Sequence, residues 1–142
     1  LDLDYVLIDC PPSLNLLTVN AMVAADSVLI PLQSEFFALE GLSQLMLTIR
    51  EVRDTANADL RIEGVFLTMH DHRNRLSQMV EADARANLGD LVFRTVVPRN
   101  VRVSEAPSHA MPVIEYDPSS KGARAYQALA AELLDRHHAA VA

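Results

Sequence analysis

Four short apolar runs, each closed by a polar or proline-rich break, set the strongest limit on what this chain can fold into. They are Tyr5–Ile8, ended by Asp9, Cys10, Pro11 and Pro12; "SVLIPL" (Ser27–Leu32); "IEGVFLTM" (Ile62–Met69); and "VFRTVVP" (Val92–Pro98). A shorter fifth candidate is "PVIEY" (Pro112–Tyr116). Runs of this length read as strands covered on both faces, although Pro31 near the end of the second weakens that reading there. Helices are expected between them. One covers Leu14–Ala25, and a second runs through "GLSQLMLTIREVRDT", where Leu42, Leu45, Met46, Ile49 and Val52 recur at helical spacing. A third has Ser77 near its start and is stopped after Leu88 by Gly89. The last, from about Ser120 to Arg136, carries Tyr126, Leu129, Ala130, Leu133 and Leu134 on one face, with fraying expected beyond. Strand and helix in alternation predict a parallel sheet with helices on its faces. Ligands bind such sheets at the carboxyl ends of the strands. Asp9, His70–Arg75 and Pro98–Arg102 each follow such an end and are therefore expected on one rim.

A chain of 142 residues, half of them apolar, is long enough for a single domain, residues 1–142, with its own core. The formal net charge of −7 argues against a protein that coats nucleic acid by bulk electrostatics, but leaves room for a local basic patch. Arginines do gather in "HRNR" (Arg73, Arg75), at Arg94 and in "PRNVR" (Arg99, Arg102). Cys10 is the single cysteine, so no intramolecular disulfide framework exists, and a buried, inert thiol is expected. No apolar run approaches the roughly 20 residues of a membrane span, and no leader or lipidation signal is evident, so a soluble cytosolic protein is expected.

A carboxylate at the tip of a buried strand, as Asp9 would be, can hold Mg²⁺ directly or through water in nucleotide hydrolases; it can equally cap the next turn. The "DCPP" loop is stiff enough for its backbone to report on a γ-phosphate. A phosphate cradle needs clustered glycines and a lysine, as in G-x-x-x-x-G-K-[ST]. Gly41, Gly64, Gly89 and Gly122 are isolated, so residues 1–142 contain no such cradle. Other constellations are weaker. His70 and His72 lack a third metal ligand at a sensible spacing. Ser104, Glu105 and His109 have no G-x-S-x-G elbow to make them a nucleophile set, and a helix is expected there.

Four segments together resemble the ParA/Soj chromosome- and plasmid-partitioning ATPases, deviant-Walker P-loop proteins related to MinD. They are "DYVLIDCPPSLNLLTVNA" (Asp4–Ala21), "PLQSEFFALEGLSQL" (Pro31–Leu45), "GVFLTMHDHRNRLSQ" (Gly64–Gln78) and "VPRNVRVSEAPSHAMPVIEYDPSSKGARAYQALAAEL" (Val97–Leu133). The resemblance implies a three-layer α/β fold of the P-loop NTPase kind with a mostly parallel sheet, here incomplete on its amino-terminal side. Asp9 matches the magnesium-site aspartate of that family. Pro98 and Asn100 match positions lining the adenine pocket. Arg73 and Arg102 match arginines that bind DNA without sequence preference, and Arg99 is a weaker candidate for the DNA or dimer surface. One departure lies in "SHAMPV", where the family shows Gly and then a basic or other polar residue before Pro. Ala110 removes a permissive backbone position there, and Met111 removes the charge a basic residue would carry.

The implied activity is ATP- and Mg²⁺-dependent: ATP closes a homodimer, the dimer binds non-specific DNA on the nucleoid, and a ParB-type partner stimulates hydrolysis. The family's P-loop and switch I have no counterpart in residues 1–142. The chain is therefore expected to be the carboxyl-terminal part of such an ATPase, with no catalytic residue of its own and no hydrolysis alone. The alternative is a non-enzymatic module without a P-loop that pairs with a full-length partition ATPase or its regulator. Membrane targeting is disfavoured because the last helix carries Glu132 and Asp135 and ends in "HHAAVA".

Overall fold

The computed structural model describes residues 2–11, 13–35 and 37–141. In chain order the elements are α1 (Leu16–Ala24), β1 (Ser27–Gln33), α2 (Ala38–Thr55), β2 (Arg61–Thr68), α3 (Arg75–Leu88), α4 (Val101–Glu105), α5 (Val113–Tyr116) and α6 (Lys121–Val141). Single 3₁₀ turns lie at Gly89–Leu91 and Ala106–His109. β1 and β2 pair in a sheet of parallel strands, with α2 as the crossover that parallel neighbours require. The chain packs as two compact units, Leu1–Val28 with Glu40–Glu63, and Leu29–Leu39 with Gly64–Ala142.

In the first unit α1 starts at Asn15, whose side-chain oxygen accepts from the N–H groups of Leu17 at 3.0 Å and Thr18 at 3.3 Å. Its far end is closed by Asn57, whose Nδ2 donates to the carbonyls of Met22, Val23 and Ala25 at 2.9–3.2 Å. The predicted stripe of α2 points inward: Leu42, Ile49 and Val52 are buried, and Leu45 and Met46 half-buried. The first apolar run departs from expectation. Tyr5–Ile8 forms no strand, and Val6 and Leu7 are 72% and 83% exposed. An apolar run becomes a buried strand only when neighbours take its backbone hydrogen bonds and cover its faces. Among the described residues no strand stands beside it. Cys10, expected to be buried, is exposed in the same irregular segment. Pro12, expected to help end the run, lies outside the described residues.

The second unit is built on Phe66, Phe93, Val97 and Leu129, with Leu29, Tyr126 and Leu133 packed against them. α3 begins after Asn74, which accepts from the Leu76 N–H at 2.9 Å, and ends at Gly89, whose φ of 54° is the left-handed value that favours glycine. Val92–Pro98, expected as a strand, follows β2 in parallel but forms no continuous ladder with it: it is tied by the Val65–Val92 bridge, by the Val97 N–H donating to the Leu67 carbonyl at 2.8 Å, and by the His70–Pro98 bridge just beyond β2. Between them the N–H groups of Arg94 and Thr95 leave the ladder and donate to the Glu132 carboxylate at 2.8 Å each. Pro112–Tyr116 is a helical turn and not a strand. Pro112, fixed at φ −68°, leads into it, and the Tyr116 and Asp117 N–H groups close it onto Pro112 and Val113. α6 continues to Val141, past the fraying expected after Arg136. On it Leu129 is buried and Tyr126 and Leu133 half-buried, while Ala130 and Leu134 are exposed.

Candidate functional site

β2 ends at Thr68, and the next residue, Met69, turns the chain with a φ of 53°. Left-handed backbone in a residue with a long side chain is strained and clusters at ligand clamps. Met69 borders an open cleft of about 290 Å³ in the second unit, at the carboxyl ends of β1, β2 and the 92–98 segment. Pro31, Gln33, Pro98, Asn100 and Tyr126 line it as well. Gln33 Nε2 lies 3.1 Å from Met69 Sδ and so links the ends of the two strands.

Pro98 is held by its neighbours: the His70 N–H donates to the Val97 carbonyl at 3.2 Å, and the Arg99 N–H to the His70 carbonyl at 3.0 Å. The buried His70 ring has Nε2 3.0 Å from Glu81 Oε2, a close contact outside hydrogen-bond geometry, and Glu81 also pairs with Arg85 at 2.9 Å. Asn100 caps α4, its Oδ1 accepting from the Arg102 N–H at 2.9 Å. Its NH₂ group and the second lone pair of Oδ1 are then left to serve a ligand in the cleft. α4 is fixed from behind by α6, since a Cβ at Gly122 would collide with Val103 Cγ2.

The expected arginines lie on segments leaving the same strand ends, and each faces an acid. Arg73, 83% exposed, has Nε 3.4 Å from Asp71 Oδ1. The Arg73 backbone N–H, and then its guanidinium, lower the Asp71 carboxyl below its usual range. Arg99 Nη2 is 3.9 Å from Glu35. Arg102 reaches Glu105 through Nη1 at 2.8 Å and Asp117 through Nε at 3.4 Å. Its hydrogen bond to Glu105, above all, raises its already high pKa.

The second unit thus gathers Pro98, Asn100 and Arg102 on one stretch of chain, and bridges that stretch to His70. Asp9 belongs to the first unit, where it is exposed in the irregular segment before α1. Among the described residues no group of three His, Cys, Asp or Glu side chains gathers to hold a metal. A lone carboxylate such as that of Asp9 could ligate Mg²⁺ only beside water and phosphate oxygens, as in nucleotide sites. Ser104, Glu105 and His109 form no nucleophile set. Ser104 lines the cleft, Glu105 binds Arg102, and His109 stacks on Tyr116 at 4.8 Å.

Sequence reasoning missed Glu132 and the acidic partners of the arginines. Glu132 lies three residues after buried Leu129 and four before Arg136, a spacing that puts it on the inward face. Glu105 stands at the same kind of helical spacing from Arg102.

Parallel strands with helices between them, and a cleft at their carboxyl ends, define an α/β fold of the P-loop NTPase class. Cobyrinic acid a,c-diamide synthase from Mycobacterium smegmatis, solved with bound ADP and magnesium, matches with a TM-score of 0.69 and 35% identity, over 89% of this chain and 44% of that one. A family model described as an AAA domain matches residues 1–62. The chromosome partitioning protein ParA of Caulobacter vibrioides is 62% identical over 132 residues, 93% of this chain and 49% of the relative. The sporulation initiation inhibitor protein Soj of Bacillus subtilis is 57% identical over 130 residues, 92% of this chain and 51% of that protein. The chain is similar to ParA and Soj partitioning proteins at 50–62% identity, and it spans about half the length of the curated relatives it matches.

Proposed function

We propose that residues 1–142 are the carboxyl-terminal part of the single α/β ATPase domain of a partitioning protein, contributing the base side and the magnesium side of a nucleotide site. The cleft carries this reading: it lies at the carboxyl ends of parallel strands and is lined by Pro98 and Asn100, the two positions matched to the adenine pocket. Adenine rests against these residues, and Asp9 supports Mg²⁺. The phosphates are held by a P-loop outside residues 1–142, so this chain alone does not turn over ATP. Relatives named as a chromosome partitioning protein and a chromosome-partitioning ATPase support ATP-dependent segregation of DNA as the role of the whole protein, chromosomal or plasmid. ATP closes a homodimer, Arg73 and Arg102 then meet duplex phosphates, and a ParB-type partner triggers release. The protein works in the cytoplasm, on the nucleoid. Among the described residues no helix is long and apolar enough to cross a membrane.

A few arginine contacts per subunit are weak singly but add across a dimer and along a polymer. Replacing Arg73 and Arg102 together with Glu in the full-length protein should weaken duplex DNA binding by at least about tenfold at moderate salt, with ATP binding unchanged. Undiminished DNA binding by that variant would contradict the assignment.

A further inference from the structure

Arg102 is flanked by two carboxylates, and each is anchored independently of it. Glu105 Oε2 sits 3.4 Å from the Tyr116 hydroxyl. Asp117 Oδ1 accepts from the N–H and hydroxyl of Ser119 at 3.2 and 2.8 Å, which leaves Oδ2 to face Arg102 Nε. One guanidinium against two carboxylates makes this corner net negative by one charge. A phosphate approaching Arg102 must displace, or share the guanidinium with, groups that stay in place. Arg73 and Arg99 face one acid each, Asp71 and Glu35, so Arg102 is the most strongly countered of the three.

We propose that Glu105 and Asp117 are positioning residues that hold the Arg102 guanidinium and offset its charge, so that they limit the affinity of this surface for duplex DNA. The proposal rests on the DNA-binding reading above and adds to it a restraint that favours release. Exposed ion pairs are individually weak, so the phosphates of a polyanion can compete with them, but each competition subtracts from binding. Contact is then productive only when several sites act together, as on a dimer lying along DNA.

Glu105→Gln keeps an acceptor for Nη1 and removes the charge; Asp117→Asn keeps Oδ1 for Ser119. With ATP present, the full-length protein carrying either change should bind duplex DNA about threefold more tightly at low salt, and the double variant about tenfold. The same changes placed on Arg102→Ala should tighten binding by less than about 1.5-fold, because the group they restrain is gone. Equal tightening in both backgrounds would overturn the proposal in favour of bulk charge. If Arg102→Ala weakens binding but Glu105→Gln and Asp117→Asn tighten nothing, the restraint is refuted and the DNA reading stands. If Arg102→Ala binds like the parent, or the parent binds no DNA, both fall.

Discussion

At Ala110 the chain adopts φ 51° and ψ 34°, a left-handed conformation that places Cβ against the backbone. The turn is held by the Ala110 N–H to the Pro107 carbonyl at 3.0 Å and the Met111 N–H to the Ala106 carbonyl at 3.2 Å. The resemblance to ParA/Soj proteins implies glycine at this position, and the left-handed backbone gives a physical reason for one. Ala110→Gly should raise stability by about 0.5–1 kcal/mol, since the relieved strain exceeds the added freedom of the unfolded chain. A urea midpoint that falls in this variant would show that the turn is not strained. At the same scale, the residue types at the rim were legible but their pairing was not. Arg73, Arg99 and Arg102 stand out in the sequence as cations, whereas Glu35 and Asp117, distant in sequence from the arginines they face, are found only in the fold.

Among the elements, β1, β2 and the helices α1, α2, α3 and α6 were readable because their apolar spacing is a local property. The misreadings fall where structure depends on neighbours. Tyr5–Ile8 has strand composition without a flanking strand, Pro112–Tyr116 is decided by the proline before it, and Val92–Pro98 loses its ladder midway. Glu132 repairs that last gap. Burial would raise its carboxyl, but the Arg94 backbone N–H, the Thr95 hydroxyl and N–H, and Arg136 outweigh burial and lower it from 4.5 to about 2. Arg136 also lies over the Phe93 ring at 3.9 Å and donates to the Asp90 and Val92 carbonyls at 3.0 and 3.1 Å, binding α6 to the same segment. Because the folded-state pKa lies below the ordinary value, the stabilisation is fully present above about pH 4.5 and is lost as pH falls toward 2. Glu132→Gln should cost about 2–3 kcal/mol at pH 7 and little near pH 2, so its urea unfolding curve should converge on that of the parent as acid is added. A variant as stable as the parent at pH 7 would show that the carboxylate is not what closes the gap.

For the molecule as a whole, Asp9 lies in one compact unit and Pro98 and Asn100 in the other. The sequence made the α/β class legible through its alternating apolar runs, and it made the place of the cleft legible through the polar stretches that follow the strand ends at His70 and Pro98. It also showed which part of the site residues 1–142 lack, since a phosphate cradle is a local glycine and lysine motif. An incomplete nucleotide site makes a direct demand on binding, because the phosphates carry most of the charge of ATP and need backbone N–H groups and a lysine to hold them. The decisive measurement is a titration of ATP with Mg²⁺ into residues 1–142 beside the full-length protein, followed by calorimetry or a fluorescent nucleotide. Saturable binding by the full-length protein, with affinity at least about a hundredfold weaker in residues 1–142, is the expected result. Equal affinity in the two would contradict the divided site.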